Sequence, residues 1–116
     1  MNYKIRKANT KDMLQVLKLI NELAIFEKEP NAVDVTEAEL KKKGFGNNPE
    51  FDCFVAEANR KVIGIALTYT RFSTWKGTVL HLEDLIVSEN MRGYGVGSAL
   101  LAVSYTHLTL PTMVQV

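Results

Sequence analysis

The chain is short of several things, and each shortage narrows what it can be. It has one cysteine, Cys53, so no internal disulfide can form. A chain without disulfides suits a reducing compartment. Cys53 lies in an apolar run and reads as a small core residue rather than a nucleophile. The 14 Lys and Arg nearly balance the 13 Asp and Glu, leaving a net charge of +1. That gives no electrostatic case for nucleic acid or for an anionic membrane as partner. No apolar run approaches the length needed to span a bilayer. The stretch Met1 to Arg6 lacks the apolar centre of a signal peptide. Internal repeats and low-complexity segments are also missing. The expected setting is therefore the cytoplasm.

What is present fits one folded domain. The 116 residues are 47% apolar and 23% charged, a globular composition with room for a modest core. Tyr3 to Lys7 alternates apolar and charged residues as a short half-buried strand does. Met13, Leu17, Ile20 and Ala24, flanked by Val16 and Leu23, fall at helical spacing and predict an amphipathic helix from about Asp12 to Glu27. Asn9 or Thr10 can cap its start, and Pro30 lies just past its end. Thr36-Glu37-Ala38-Glu39 is a capping box, with Val35 and Leu40 at the two staple positions. It predicts a short helix from Glu37 to Lys43, stopped by Gly44. Two extended runs follow, Phe51 to Ala58 and Val62 to Arg71, separated by Asn59-Arg60-Lys61 as in a hairpin. After a turn from Phe72 to Gly77, in which Trp75 reads as a packing residue, a third strand runs from Thr78 to Val87. Three strands with short links form an antiparallel meander.

Next comes Arg92-Gly93-Tyr94-Gly95-Val96-Gly97-Ser98-Ala99-Leu100-Leu101. Its place is strand, glycine loop, helix, with Ser98 to Leu101 as the first helical residues. Glycines let the backbone take otherwise forbidden conformations and let a ligand approach closely. Free N–H groups at a helix start make a site for phosphate. No Lys-Ser or Lys-Thr follows the last glycine, which excludes a P-loop. The spacing also misses the dinucleotide fingerprint. Arg-x-x-Gly-x-Gly, here Arg92 to Gly97, after a strand containing Leu82-Glu83-Asp84-Leu85, resembles the GNAT N-acetyltransferases. Trp75-Lys76-Gly77, the Leu82-Glu83-Asp84 run and the Phe26-Glu27 pair are similar to the polyamine branch of that family. That branch usually carries tyrosine where this chain has Phe26.

The resemblance implies an α/β fold with a mostly antiparallel sheet in the order β-α-α-β-β-β-α. It implies acetyl-CoA as co-substrate, and no metal. Backbone groups of Arg92, Gly93, Tyr94, Gly95, Val96, Gly97 and Ser98 would hold the pyrophosphate. Leu85, Ile86 and Val87 would meet the acyl and pantetheine portions through a splayed strand edge. Dimers are common in the family, though no stretch here marks the surface.

Acetyl transfer requires a neutral amine, a donor for the carbonyl oxygen and a proton for the leaving thiolate. A strand carboxylate in a desolvated cleft can be tuned to take the amine's proton. Glu83 is the candidate base, and the resemblance implies that it binds the amine as well. Asp84 beside it leaves the assignment open, and His81 can also take a proton. On a regular strand Glu83 shares a face with His81, Leu85 and Val87, and Asp84 points the other way. Phe26 and Glu27 read either as a solvated helix end or as an acidic, aromatic-edged lip for a cationic acceptor. The expected function is transfer of an acetyl group to a primary amine of a polyamine, diamine or lysine analogue. A non-catalytic acetyl-CoA-binding module is the alternative, and a fragment that needs a partner is a third.

The resemblance covers Tyr3 to Leu101. This divides the chain into a partial GNAT domain, residues 1–103, and a tail unlike the family, residues 104–116, in which Pro111 would break any helix. The family's tyrosine acid has no counterpart in that tail, and Tyr105 is not assigned the role. The chain is accordingly expected to be weakly active or inactive. The strand from Thr78 to Val87 is expected to have an open edge, and the helix after the loop to be short and under-packed.

Overall fold

The computed structural model describes residues 2–106 and the backbone of 113–115. Strand β1 (Lys4–Lys7) leads through a 3-10 turn at Thr10–Asp12 into helix α1 (Met13–Phe26). Helix α2 (Glu37–Phe45) follows, then strands β2 (Asp52–Ala58), β3 (Lys61–Ser73) and β4 (Gly77–Val87), helix α3 (Val96–Thr106) and strand β5 (Met113–Gln115). The sheet order is β1-β2-β3-β4-β5. The first four strands pair antiparallel as a meander, with β1 added beside β2. β5 runs parallel to β4 and meets it only from Val79 to His81.

Capping chemistry sets the helix starts. The Asn9 side chain accepts from the Lys11 N–H at 2.9 Å, and the Asp12 carboxylate accepts from the Asn9 N–H at 2.8 Å. The Thr36 hydroxyl accepts from the Glu39 N–H at 3.1 Å, but no return bond from the Glu39 side chain forms, so only half of that box is built. Gly44 does not stop α2. It lies inside the helix, where a Cβ would come within 2.4 Å of the Phe51 ring. The residue is glycine to admit that ring, and the helix ends at Gly46 instead. The β2–β3 turn is two residues, Asn59 and Arg60, both at positive φ (52° and 63°). That is the backbone of the primed turns that suit a twisted hairpin.

Two apolar clusters lie on opposite faces of the sheet. Met13, Val16 and Leu19 of α1 and Leu40 of α2 pack on Val55, Ile65 and Ile86. On the other face Val96 and Leu100 of α3 pack on Phe54, Ala56 and Ala66. A Cβ at Gly64 would sit 3.2 Å from Val96, Leu100 and the Ile86 carbonyl, so the missing side chain lets α3 lie close on β3. α3 is therefore neither short nor under-packed: it runs to Thr106, and Leu100 is fully buried. Trp75 does not pack across its turn; it is 90% exposed. The β4 edge is covered at Val79–His81 and, among the described residues, has no strand beside it from Leu82 onward. The break expected at Pro111 lies outside the described residues. Among those residues no helix is long and apolar enough to cross a membrane. Cys53 is buried, and burial pushes its thiol up to about 12.

Arg6 ties the first strand to both neighbours. Its guanidinium donates to both Asp12 carboxylate oxygens at 2.8 and 2.9 Å and to Glu57 at 2.7 Å. A planar, bidentate contact of this kind fixes orientation as well as distance. It anchors the start of α1 and, through α1, the place where that helix ends.

Candidate active site

The centre of the site is an irregularity in β4. Leu67 pairs with Asp84 and Thr68 with Leu82, so Glu83 is an extra residue with no partner on β3. This is a β-bulge, a device that re-aims side chains. It corrects the facing expected of a regular strand. Asp84 lies opposite Leu67 and in step with Ile86 of the α1-side core, hence on the α1–α2 face. Leu85 pairs with Ala66 and Val87 with Gly64, so both turn to the α3 face. Glu83 keeps His81 as its neighbour, with His81 Nε2 3.4 Å from Glu83 Oε1. The bulge thus brings two consecutive carboxylates and a histidine to one side, where strict alternation would have separated them.

Their electrostatics differ. The Glu83 side chain is 54% exposed. Asp84 is half-buried, and its carboxyl is held above the usual range by burial first, then by the charges of Glu83 and Glu27. The His81 ring lies 5.0 Å from the Tyr69 ring. Its Nδ1 is buried and has no hydrogen-bond partner.

Glu27 reaches this group because of how α1 ends. The Lys28 N–H donates to the Ile25 carbonyl at 3.0 Å and the Glu29 N–H to the Ala24 carbonyl at 2.8 Å. Lys28 has a φ of 63°. That is a Schellman motif with lysine in the left-handed position glycine usually takes. The motif ends the helix before Pro30 is reached, and it leaves Phe26 70% exposed at the mouth. Phe26 lies under the Arg92 guanidinium, 5.6 Å from Cζ to ring centroid, a cation–π geometry. Arg92 Nε also donates to the Val87 carbonyl at 3.2 Å. Sequence reasoning placed Phe26 and Arg92 on different ligands; the fold makes them touch. A cavity of about 420 Å³ opens beside them against α1, bordered by Lys18, Asn21, Glu22 and Ile25.

The glycine loop fits a phosphate ligand on geometry. Gly93 and Gly95 have φ of +90° and +77°, conformations that side chains resist. A Cβ at either would meet nothing within 4 Å, so the space above the loop is open. α3 begins at Val96, and the N–H groups of Val96, Gly97 and Ser98 therefore have no carbonyl within the helix. Tyr94 stands 58% exposed between the glycines, and Val96 is buried as the helix anchor. Leu85 is partly exposed and Ile86 is buried.

Residues 14–108 match the Acetyltransferase (GNAT) family. The chain is 38% identical over 106 residues to spermidine/spermine N(1)-acetyltransferase-like protein 1 of Homo sapiens, covering 85% of this chain and 15% of that protein. It is 38% identical over 106 residues to the thialysine N-epsilon-acetyltransferase of Mus musculus, covering 84% of this chain and 62% of that enzyme. The chain thus spans less than two thirds of the length of these relatives. Among solved structures it resembles an aminoglycoside acetyltransferase from an uncultured soil metagenomic sample, crystallised with sisomicin. The TM-score is 0.75 at 23% identity, over 98% of this chain and 77% of that one. That likeness concerns the fold.

Proposed function

Because the chain belongs to the GNAT acetyltransferase family, we propose that it transfers the acetyl group of acetyl-CoA to a primary amine of a small cationic acceptor. GNAT acetyltransferases use acetyl-CoA, which when bound supplies an acetyl thioester. The observation that carries the reading is the bulge at Glu83. It sets Glu83 and Asp84 together on the stretch of β4 that leads into the glycine loop.

The roles follow from chemistry. The N–H groups from Gly93 to Ser98, at the positive end of α3, suit a diphosphate. The backbone of Leu85, Ile86 and Val87, beside which no strand lies on one side among the described residues, suits an extended amide-bearing arm and offers an N–H to the thioester oxygen. For that, Arg92 must leave the Val87 carbonyl, and the diphosphate is its natural new partner. Glu83 takes the proton of the incoming ammonium, directly or through water. The neutral amine then attacks the thioester carbon and the C–S bond breaks. The amide nitrogen gives up its extra proton, and the departing thiolate takes a proton from solvent. Asp84 and Glu27 add negative potential that draws the cation in. Phe26 forms the apolar edge of the mouth.

The acceptor is proposed as a polyamine, diamine or lysine analogue. The acidic group supports a cation, and the names of the two relatives, one spermidine/spermine-like and one acting on thialysine, support its size. The single cysteine, Cys53, which leaves the chain without an internal disulfide, supports a cytoplasmic setting. Residues 1–103 are proposed as the GNAT portion, and a homodimer as the assembly.

The test combines amide exchange with thiol release. Acetyl-CoA should slow deuterium exchange at Gly93 to Ser98, and adding spermidine should release free thiol in a way that Glu83→Gln abolishes. Protection without thiol release would make the chain a binding module. No protection at all would refute the assignment.

A further inference from the structure

We propose that His81 is a positioning residue: its ring, packed against Tyr69 and closed off at Nδ1, presents Nε2–H to Glu83 and holds that carboxylate in place. This rests on the role proposed above for Glu83 and adds the group that steadies it.

The bulge creates the need. Glu83 has no partner on β3, and its side chain is 54% exposed. A glutamate so placed has many rotamers to visit, whereas a base must lie within hydrogen-bond reach of the proton it takes. Among the described residues, the polar side chain beside it is His81, with Nε2 3.4 Å from Oε1. That separation is long for a hydrogen bond. Contacts of this kind at reacting groups tighten when substrate binds.

The histidine is built to stay still. Tyr69 is its cross-strand partner, and the two rings lie 5.0 Å apart, tilted by 51°, a favoured aromatic geometry. The His81 side chain is only 22% exposed. Its Nδ1 is buried and, among the described residues, has no hydrogen-bond partner. A proton on Nδ1 would be a buried donor with nothing to receive it. The neutral ring therefore keeps its one proton on Nε2, the nitrogen that faces Glu83. For His81 to take the acceptor's proton itself, Nδ1 would have to receive it, and Nδ1 is closed off. Packing alone does not account for the residue either, since phenylalanine would fill the same place without stranding a nitrogen.

The test reads the ring nitrogens of the isotopically labelled full chain by long-range proton–nitrogen NMR at about pH 8, above the ordinary imidazole range. The chain has two histidines, and the signals missing from His81→Phe identify those of His81. Nε2 should carry the proton and Nδ1 should be bare. Glu83→Ala should move the Nε2 signal and leave Nδ1 where it is. In thiol release with spermidine, His81→Phe, which keeps a ring against Tyr69, should lower kcat by up to about a hundredfold with the KM of acetyl-CoA unchanged. His81→Gln, whose amide can donate from nearly the same place, should recover part of that loss. A proton on Nδ1, an Nε2 signal indifferent to Glu83→Ala, or full activity in His81→Phe would overturn the proposal and leave Glu83 standing as the base. Absence of thiol release from the wild type would defeat the acceptor reading instead, and the ring signals alone would then decide the role of His81.

Discussion

Arg6 holds two carboxylates at once, and the pair with Asp12 makes stability depend on pH in a definite direction. The guanidinium lowers the Asp12 carboxyl, outweighing the opposing effect of burial, with help from the Asn9 N–H. A carboxyl held low stabilises the fold above its unfolded value, near 3.8, and that stabilisation is lost as pH falls through the folded value. Asp12→Asn should therefore cost about 1–3 kcal/mol at pH 7, measured by urea unfolding, with the difference from wild type shrinking below about pH 4. Asp84 has the opposite sign. Its carboxyl is raised by burial and by Glu83 and Glu27, so its contribution is favourable in acid and is lost as pH rises through the folded value. Asp84→Asn should melt at a higher temperature than wild type at pH 8, and the gap should close toward pH 3. A site that keeps an ionisable group where its charge is disfavoured gives up stability for chemistry.

At the scale of elements, the glycine loop separates strain from crowding. A Cβ at Gly95 would touch nothing, yet the residue sits at a φ of +77°. Gly95→Ala should cost about 1–2 kcal/mol through the backbone alone and weaken acetyl-CoA binding, read by thermal melts and calorimetry; an unchanged melt would mean the loop relaxes freely. This loop was legible in the sequence, because three glycines between an apolar run and a helix leave few alternatives. So were α1, the hairpin and the meander, whose apolar periods are regular. The facing of Asp84 was not. His81-Leu82-Glu83-Asp84-Leu85 reads the same with or without a bulge, and only the partner strand reveals the extra residue. The role of Gly44 was hidden for a similar reason: a helix-stopping glycine and one that admits a ring differ in what lies opposite, here Phe51. The contact of Phe26 with Arg92 joins residues far apart in the chain, which no local pattern encodes.

At the scale of the whole molecule, β2 and β3 carry both cores, one on each face. Val16→Ala on the α1 side and Leu100→Ala on the α3 side should each destabilise, by about 0.5–3 kcal/mol for the smaller valine and about 2–5 kcal/mol for Leu100. The sheet separates the two positions, so the losses should add within about 0.5 kcal/mol in the double variant. Coupling larger than that in denaturant titrations would mean the sheet transmits strain from face to face. The bulge carries a consequence of another kind. Thr68 already faces Leu82 and Leu67 already faces Asp84, so excising residue 83 would leave every remaining rung of the ladder with its present mate. The acid proposed as the base is thus supernumerary to the architecture. A lineage could discard it in a single codon and keep an intact, silent fold.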